Sequence, residues 1–187
     1  TQARQRLGAK PLAQLFDQTA RAWCQQDAGI HAWKGLSLWA MDGTTFRTPD
    51  SADNRAHFGA QAYASGKVAS YPQVRAVSIT AIPTHLVSDI AFGTYAQNEM
   101  LYAKTLVGRI ADHSLTVFDR GFLCAEILLG LTQGGQERHY LIPAKSNTKW
   151  EVLSGSADDC LVRMRVSPQA RAKAPELPEH WTARAVR

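Results

Sequence analysis

Two aspartates occupy matching positions in this sequence. Asp42 follows the apolar run Leu36-Ser37-Leu38-Trp39-Ala40-Met41 and precedes Gly43, and Asp119 follows Leu115-Thr116-Val117-Phe118 and precedes Arg120-Gly121. Each reads as a carboxylate at the end of a short buried strand. If the two strands are neighbours in one sheet, both carboxylates emerge side by side at its rim. Carboxylates that close repel unless a cation lies between them, and their hard oxygens suit Mg2+ or Mn2+. Two such ions, roughly 3.5–4 Å apart, lower the pKa of an attacking water or hydroxyl and stabilise the leaving oxygen of a phosphodiester. Asp-Gly and Asp-Arg-Gly also occur as simple turns, the plain alternative for either residue taken alone.

Other chemistries fare worse. Phosphatases of the haloacid-dehalogenase type use Asp-x-Asp-Gly-Thr after a first strand, and Asp42-Gly43-Thr44 fits the second half. The nucleophile would then fall at Ala40, which cannot attack phosphorus. His31, His57, His85, His113, His139 and His180 form no i, i+4 pair, which argues against a histidine metal centre. Cys24, Cys124 and Cys160 lack any metal-ligand spacing; Cys24 and Cys124 read as buried thiols, and a reducing cytoplasm is the expected setting. Trp150 and Trp181 are candidates for base stacking, with core or strand-face packing as the expected role.

The elements that must position the acids follow from apolar spacing. A helix is predicted over 11–26, with Pro11 at its first position, Leu12, Leu15, Phe16 and Trp23 on one face, and Asp27-Ala28-Gly29 as its stop. A strand over 36–41 is stopped by Asp42-Gly43, and a long polar loop covers 47–72. Then come a hairpin over 74–80 and 86–92, a helix over 98–110, a strand over 115–118, a helix over about 124–132 and a strand over 140–143. That order predicts a mixed α/β sheet covered by helices. From Lys149 the texture changes to strands over 151–153, 160–166 and 181–187, with a loop over 167–178, as though a second, β-rich unit begins.

The 187 residues carry a net charge of +5, of which 1–10 hold +3, 161–187 hold +4 and the middle −2. Basic ends around an acidic-leaning centre suit a polyanion gripped from its flanks. No apolar run approaches the roughly 18 residues of a membrane span, and the start has no signal-peptide apolar core. With Thr1 in first place and a strand pattern still running at Arg187, the sequence reads as cut at both ends.

The segment Asp42-Gly43-Thr44-Thr45-Phe46-Arg47-Thr48-Pro49-Asp50 closely resembles the first catalytic block of DDE transposases of the insertion-sequence-four family. Phe58-Gly59 and Tyr71-Pro72-Gln73-Val74-Arg75 also resemble it, and Val117-Phe118-Asp119-Arg120-Gly121-Phe122 is similar to the second block. The likeness is clearest over 36–145. It implies a ribonuclease-H-like α/β fold, with Asp42 and Asp119 as the first two ligands of Mg2+ or Mn2+. It also implies metal-dependent hydrolysis and strand transfer on DNA, at transposon ends and target, and it leaves open a homodimer of the full-length protein. Arg47, Arg120 and Lys145 would contact the DNA. Residues 1–30 would be a helical lead-in from an upstream DNA-binding region, 31–148 the first part of the catalytic core, and 149–187 the start of a β-rich insertion.

One departure matters. The family's third acid lies in Tyr-x-x-Arg-x-x-x-Glu-x-x-x-x-x-x-Lys, which has no match here. Glu126 on the next helix reads as a solvent-facing charge, and Glu151 opens a strand. The expectation is a transposase fragment that is inactive by itself, with a remnant that only binds DNA as the second reading.

Overall fold

The computed structural model describes residues 2–26 and 32–187. The expected helix stop at Asp27-Ala28-Gly29 lies outside them. Two helices, α1 (Gln2–Leu7) and α2 (Lys10–Gln26), come first. Then follow β1 (Ser37–Arg47), α3 (Ala52–Phe58), β2 (Gln73–Ala81), β3 (Val87–Thr94), α4 (Glu99–Val107) and β4 (Ser114–Phe118). A 3-10 turn over Arg120–Phe122 leads to α5 (Ala125–Gln133) and β5 (Arg138–Leu141). The chain ends with β6 (Glu151–Gly155), β7 (Asp159–Arg165), α6 (Pro168–Lys173) and β8 (His180–Val186).

The larger sheet has the order β3-β2-β1-β4-β5. Strand β2 is antiparallel to both β1 and β3, whereas β4 is parallel to β1 and β5 to β4. A parallel pair needs a long crossover, and α5 supplies it between β4 and β5. This is the mixed, helix-flanked sheet expected of a ribonuclease-H-like fold. Strands β6, β7 and β8 form a separate antiparallel sheet.

One face of the large sheet holds the core. Trp39 and Met41 of β1, Val77 and Ile79 of β2 and Phe118 of β4 pack with Leu106 of α4 and Ile127, Leu128 and Leu131 of α5. Each such side chain contributes roughly 1.5–3 kcal/mol by leaving water. The same apolar cluster continues into the small sheet through Val162, Met164 and Trp181, and the Trp181 ring lies 6.4 Å from that of Tyr140.

Several expectations need correction. Strand β1 does not stop at Asp42-Gly43 but runs on to Arg47, because β2 pairs with it along the whole stretch as far as Arg47↔Gln73. Thr44, Thr45 and Phe46 are residues that suit a strand. The loop over 47–72 contains α3, capped where the Ser51 hydroxyl accepts from the Asn54 N–H and closed by Gly59 at φ 73°. The loop over 167–178 contains α6, with Ser167 as cap and Pro168 at its start. Strand β5 ends at Leu141, short of Pro143.

Helix α2 turns a different face inward from the one its large apolar residues suggested. Leu12, Leu15 and Trp23 are exposed, while Ala20 and Cys24 are buried. A polar anchor decides the matter, since Arg21 donates to Asp89 of β3 at 2.6 Å and Asp89 is 2% exposed. A carboxylate that deep requires a cation. Cys124 is only half-buried, whereas Cys24 and Cys160 are buried. Trp181 packs in the core, and Trp150 stays largely exposed.

Candidate functional site

Strands β1 and β4 share a parallel ladder whose last rung pairs Met41 with Phe118. Asp42 and Asp119 are the next residues on the two strands. Neighbouring strands lie about 4.8 Å apart, and successive side chains alternate between faces. Met41 and Phe118 are buried in the core, so both aspartates leave by the opposite, solvent-exposed side. The structure thus brings the two acids together at one edge.

Their local bonds leave both carboxylates accessible. Asp42 Oδ1 accepts from the Gly43 N–H at 2.8 Å. Asp119 holds the 3-10 turn through its main-chain carbonyl, which accepts from the Phe122 N–H at 3.0 Å, and its side chain makes no capping bond. A Cβ at Gly43 would meet the carboxylate of Glu99 at the start of α4, the far end of a flexible side chain that can move aside. Asn98 fixes that helix start by accepting from the Met100 N–H at 3.0 Å. The contact of Glu99 with Gly43 joins segments far apart in sequence, and no local pattern marks it.

Among the described residues, no three His, Cys, Asp or Glu side chains come together as a set able to hold a metal ion. The strand register leaves Asp42 and Asp119 as two carboxylates on adjacent strands at this edge. As hard, acceptor-only oxygen donors they fit Mg2+ or Mn2+, whose other positions water and phosphate oxygens commonly fill. Glu126 and Glu151 do not complete the set. Glu126 pairs with Lys104 at 2.5 Å, and Glu151 pairs with Arg163 at 2.6 Å on the small sheet.

The three basic residues singled out in sequence fall in different places. Arg120 is exposed and directly follows Asp119. Lys145 is also exposed, in a turn where its N–H donates to Thr148 Oγ1 at 3.0 Å. That turn follows β5, whose last rung pairs Leu141 with Val117, so it leaves the sheet at the same edge as Asp119. Arg47 lies five residues beyond Asp42, about 17 Å along the strand. Its guanidinium stacks over the Tyr71 ring at 4.2 Å.

The basic C-terminal stretch proves to be partly neutralised by acids on the same small sheet and beside it. Arg184 bonds Asp159 at 2.5 Å, and that bond holds the Asp159 carboxyl below its usual range and raises Arg184. Arg165 lies 3.8 Å from Glu179. A further buried group went unnoticed in sequence. Asp89 takes both Arg21 and Arg109, the latter at 2.9 Å, and so ties α2 to the sheet and to the turn after α4.

Comparison with known proteins agrees with these features. Residues 33–186 match the family model described as the transposase DDE domain. The chain is 38% identical over 184 residues to transposase InsG for insertion sequence element IS4 of Escherichia coli K12, covering 98% of this chain and 41% of InsG. It is 37% identical over 158 residues to the putative transposase InsZ of the same strain, covering 82% of this chain and 51% of InsZ. The chain belongs to the DDE transposase family, in its IS4 branch. It spans about half or less of the length of these curated relatives. Among solved structures it is similar to the piggyBac transposase synaptic complex with hairpin DNA. That match has a TM-score of 0.39 and 10% identity, over 70% of this chain and 31% of the other. Among the described residues, no helix is long and apolar enough to cross a membrane.

Proposed function

We propose that Asp42 and Asp119 are the first two metal-binding acids of a DNA transposase. In this reading the complete protein hydrolyses phosphodiesters at the ends of an insertion sequence and joins the freed 3′ hydroxyl to target DNA. The observation that supports it is the placement of both acids one residue past the Met41–Phe118 rung, on adjacent strands and exposed. When bound there, Mg2+ or Mn2+ supplies Lewis acidity and a lowered pKa for the attacking oxygen. The chain's own part is to hold the cation through two carboxylates and to hold the DNA. Arg120 and Lys145 bear on phosphates at the same edge, and Arg47 bears on the backbone farther out. Residues 31–148 form the first part of the catalytic core in this reading, and 149–187 the start of an inserted β-rich unit.

The 187-residue chain supplies two acids of the family's three, so by itself it is inactive. In the complete polypeptide, Asp42→Asn or Asp119→Asn should lower Mg2+-dependent nicking of end sequences by about 100-fold or more, the scale of losing a transition-state electrostatic contact. Nicking at the wild-type rate by either variant sinks the assignment. A remnant that binds DNA without chemistry is the second reading, and it predicts DNA binding without cleavage.

A further inference from the structure

Helix α2 has two working sides. On the inner one Ala20 and Cys24 are buried against β3, and Arg21 beside them reaches Asp89. Roughly a third of a turn round the helix lie Leu12, Leu15, Phe16, Thr19 and Trp23. Leu12, Leu15 and Trp23 are 50%, 56% and 57% exposed, Phe16 is half-buried, and no charged residue interrupts the stripe. Thr19, its one polar member, turns its hydroxyl back onto the Leu15 carbonyl at 2.8 Å. Single exposed leucines are ordinary on a protein surface. A continuous apolar stripe at helical spacing, roughly 16 Å long, marks a contact surface.

We infer that the outer stripe of α2 is the seat of the polypeptide region that precedes α1 in the complete transposase. The inference takes up the reading of residues 1–30 as a lead-in from an upstream region, and it does not depend on the roles of Asp42 and Asp119. Helices α1 and α2 precede the DDE domain of residues 33–186, yet they lie within the match to InsG, more than half of which has no counterpart in this chain. The exposed patch is on the order of a few hundred Å2, well below the roughly 800 Å2 per partner of a stable dimer, so a second copy gains too little from it. A tethered segment needs no such area, because its effective concentration is on the order of millimolar. Only the short α1, turned into α2 by Gly8 at φ 72°, separates the incoming chain from the Leu12 end of the stripe. With its inner side tied to Asp89, α2 couples that upstream region to the sheet that carries Asp42 and Asp119.

Hydroxyl-radical footprinting of the complete polypeptide, read by mass spectrometry, tests this against the double variant Leu12→Lys/Leu15→Lys. Docking should take Trp23 from 57% exposed to under about a tenth, as in the desolvated centre of an interface, so wild type should be oxidised there about fivefold more slowly than the variant. Trp39 of β1, 3% exposed, should stay protected in both and so show that the sheet is intact. If Trp39 reacts in the double variant, Leu15→Ser, which adds no charge, takes its place under the same criteria. Protection of Trp23 in wild type should also survive dilution by about a hundredfold, since a tethered contact does not depend on protein concentration. Equal oxidation of Trp23 in wild type and variant overturns the proposal. Protection that disappears on dilution also overturns it, because a second copy then covers the stripe. Failure of the nuclease reading would be seen in cleavage by the Asp42→Asn polypeptide, which this footprint does not involve.

Discussion

Met41 and Phe118 are opposite partners on the last rung of the β1–β4 ladder, and both are buried against α4 and α5. Their burial is what aims the next residue on each strand. With a side-chain period of two, fixing those two side chains inward sends Asp42 and Asp119 outward together. A slip of one residue in either strand would drive a carboxylate into the core, so the register that packs the interior also sets the chemistry at the edge.

Thr116 lies in the same strand, is 0% exposed, and its hydroxyl has no hydrogen-bond partner. An unsatisfied buried hydroxyl costs about 1–3 kcal/mol, so Thr116→Val should be neutral or stabilising by about 1 kcal/mol. For a chain of this size that is a rise of roughly 2–4 °C in Tm, measurable by calorimetry. A clear fall in Tm would mean that the hydroxyl has a partner in solution.

Asp89 is the anchor of α2, with guanidinium groups of Arg21 and Arg109 converging on one carboxylate oxygen. Both arginine side chains are about half exposed, at 43% and 50%, and solvent screens part of their attraction. Asp89→Asn should therefore cost about 1–3 kcal/mol rather than the full value of a buried pair. The loss should be local first. Amide exchange in 10–26 should accelerate before that of β1 and β4, and uniform acceleration would show that α2 is not a separable unit.

Acid should weaken the joint between the start of β4 and the start of β5. The Asp112 carboxyl is held below its usual range by the Gln136 N–H, at 3.0 Å, and then by Arg138, at 2.7 Å. A lowered folded-state pKa means stability that is present above the unfolded value of about 3.9 and is lost as pH falls through the folded value. Asp50 and Asp159 are lowered in the same way by Arg55 and Arg184. Asp112→Asn should thus flatten, but not abolish, the decline of Tm below about pH 4. An unchanged decline would remove Asp112 from the linkage.

Most of the sheet was legible because its strands are apolar runs flanked by turn residues. Leu115–Phe118 could hardly be anything but a buried strand. The end of β1 was not legible, because Asp-Gly is a strong local stop signal and its reversal comes from a partner strand more than thirty residues away, at 73–81. Helix α2 was misread because hydrophobicity was weighed and charge was not. Its orientation is set by Arg21 reaching an aspartate 68 positions later. The acid pair was visible as two strand ends, but whether those strands were neighbours was a matter of topology, which spacing alone does not carry. Glu99 on Gly43 is a contact between remote segments, and no local pattern encodes it.

Strand β4 ends at Phe118, whereas β1 and β2 continue together for several residues past that level. The sheet edge is therefore a stair, with the aspartates on the tread and the β1–β2 ribbon as the riser. Whatever lies across the tread meets the β1–β2 ribbon on one side and the turn that follows β5 on the other. In the proposed function, the unequal strand lengths limit the side from which nucleic acid reaches the two aspartates.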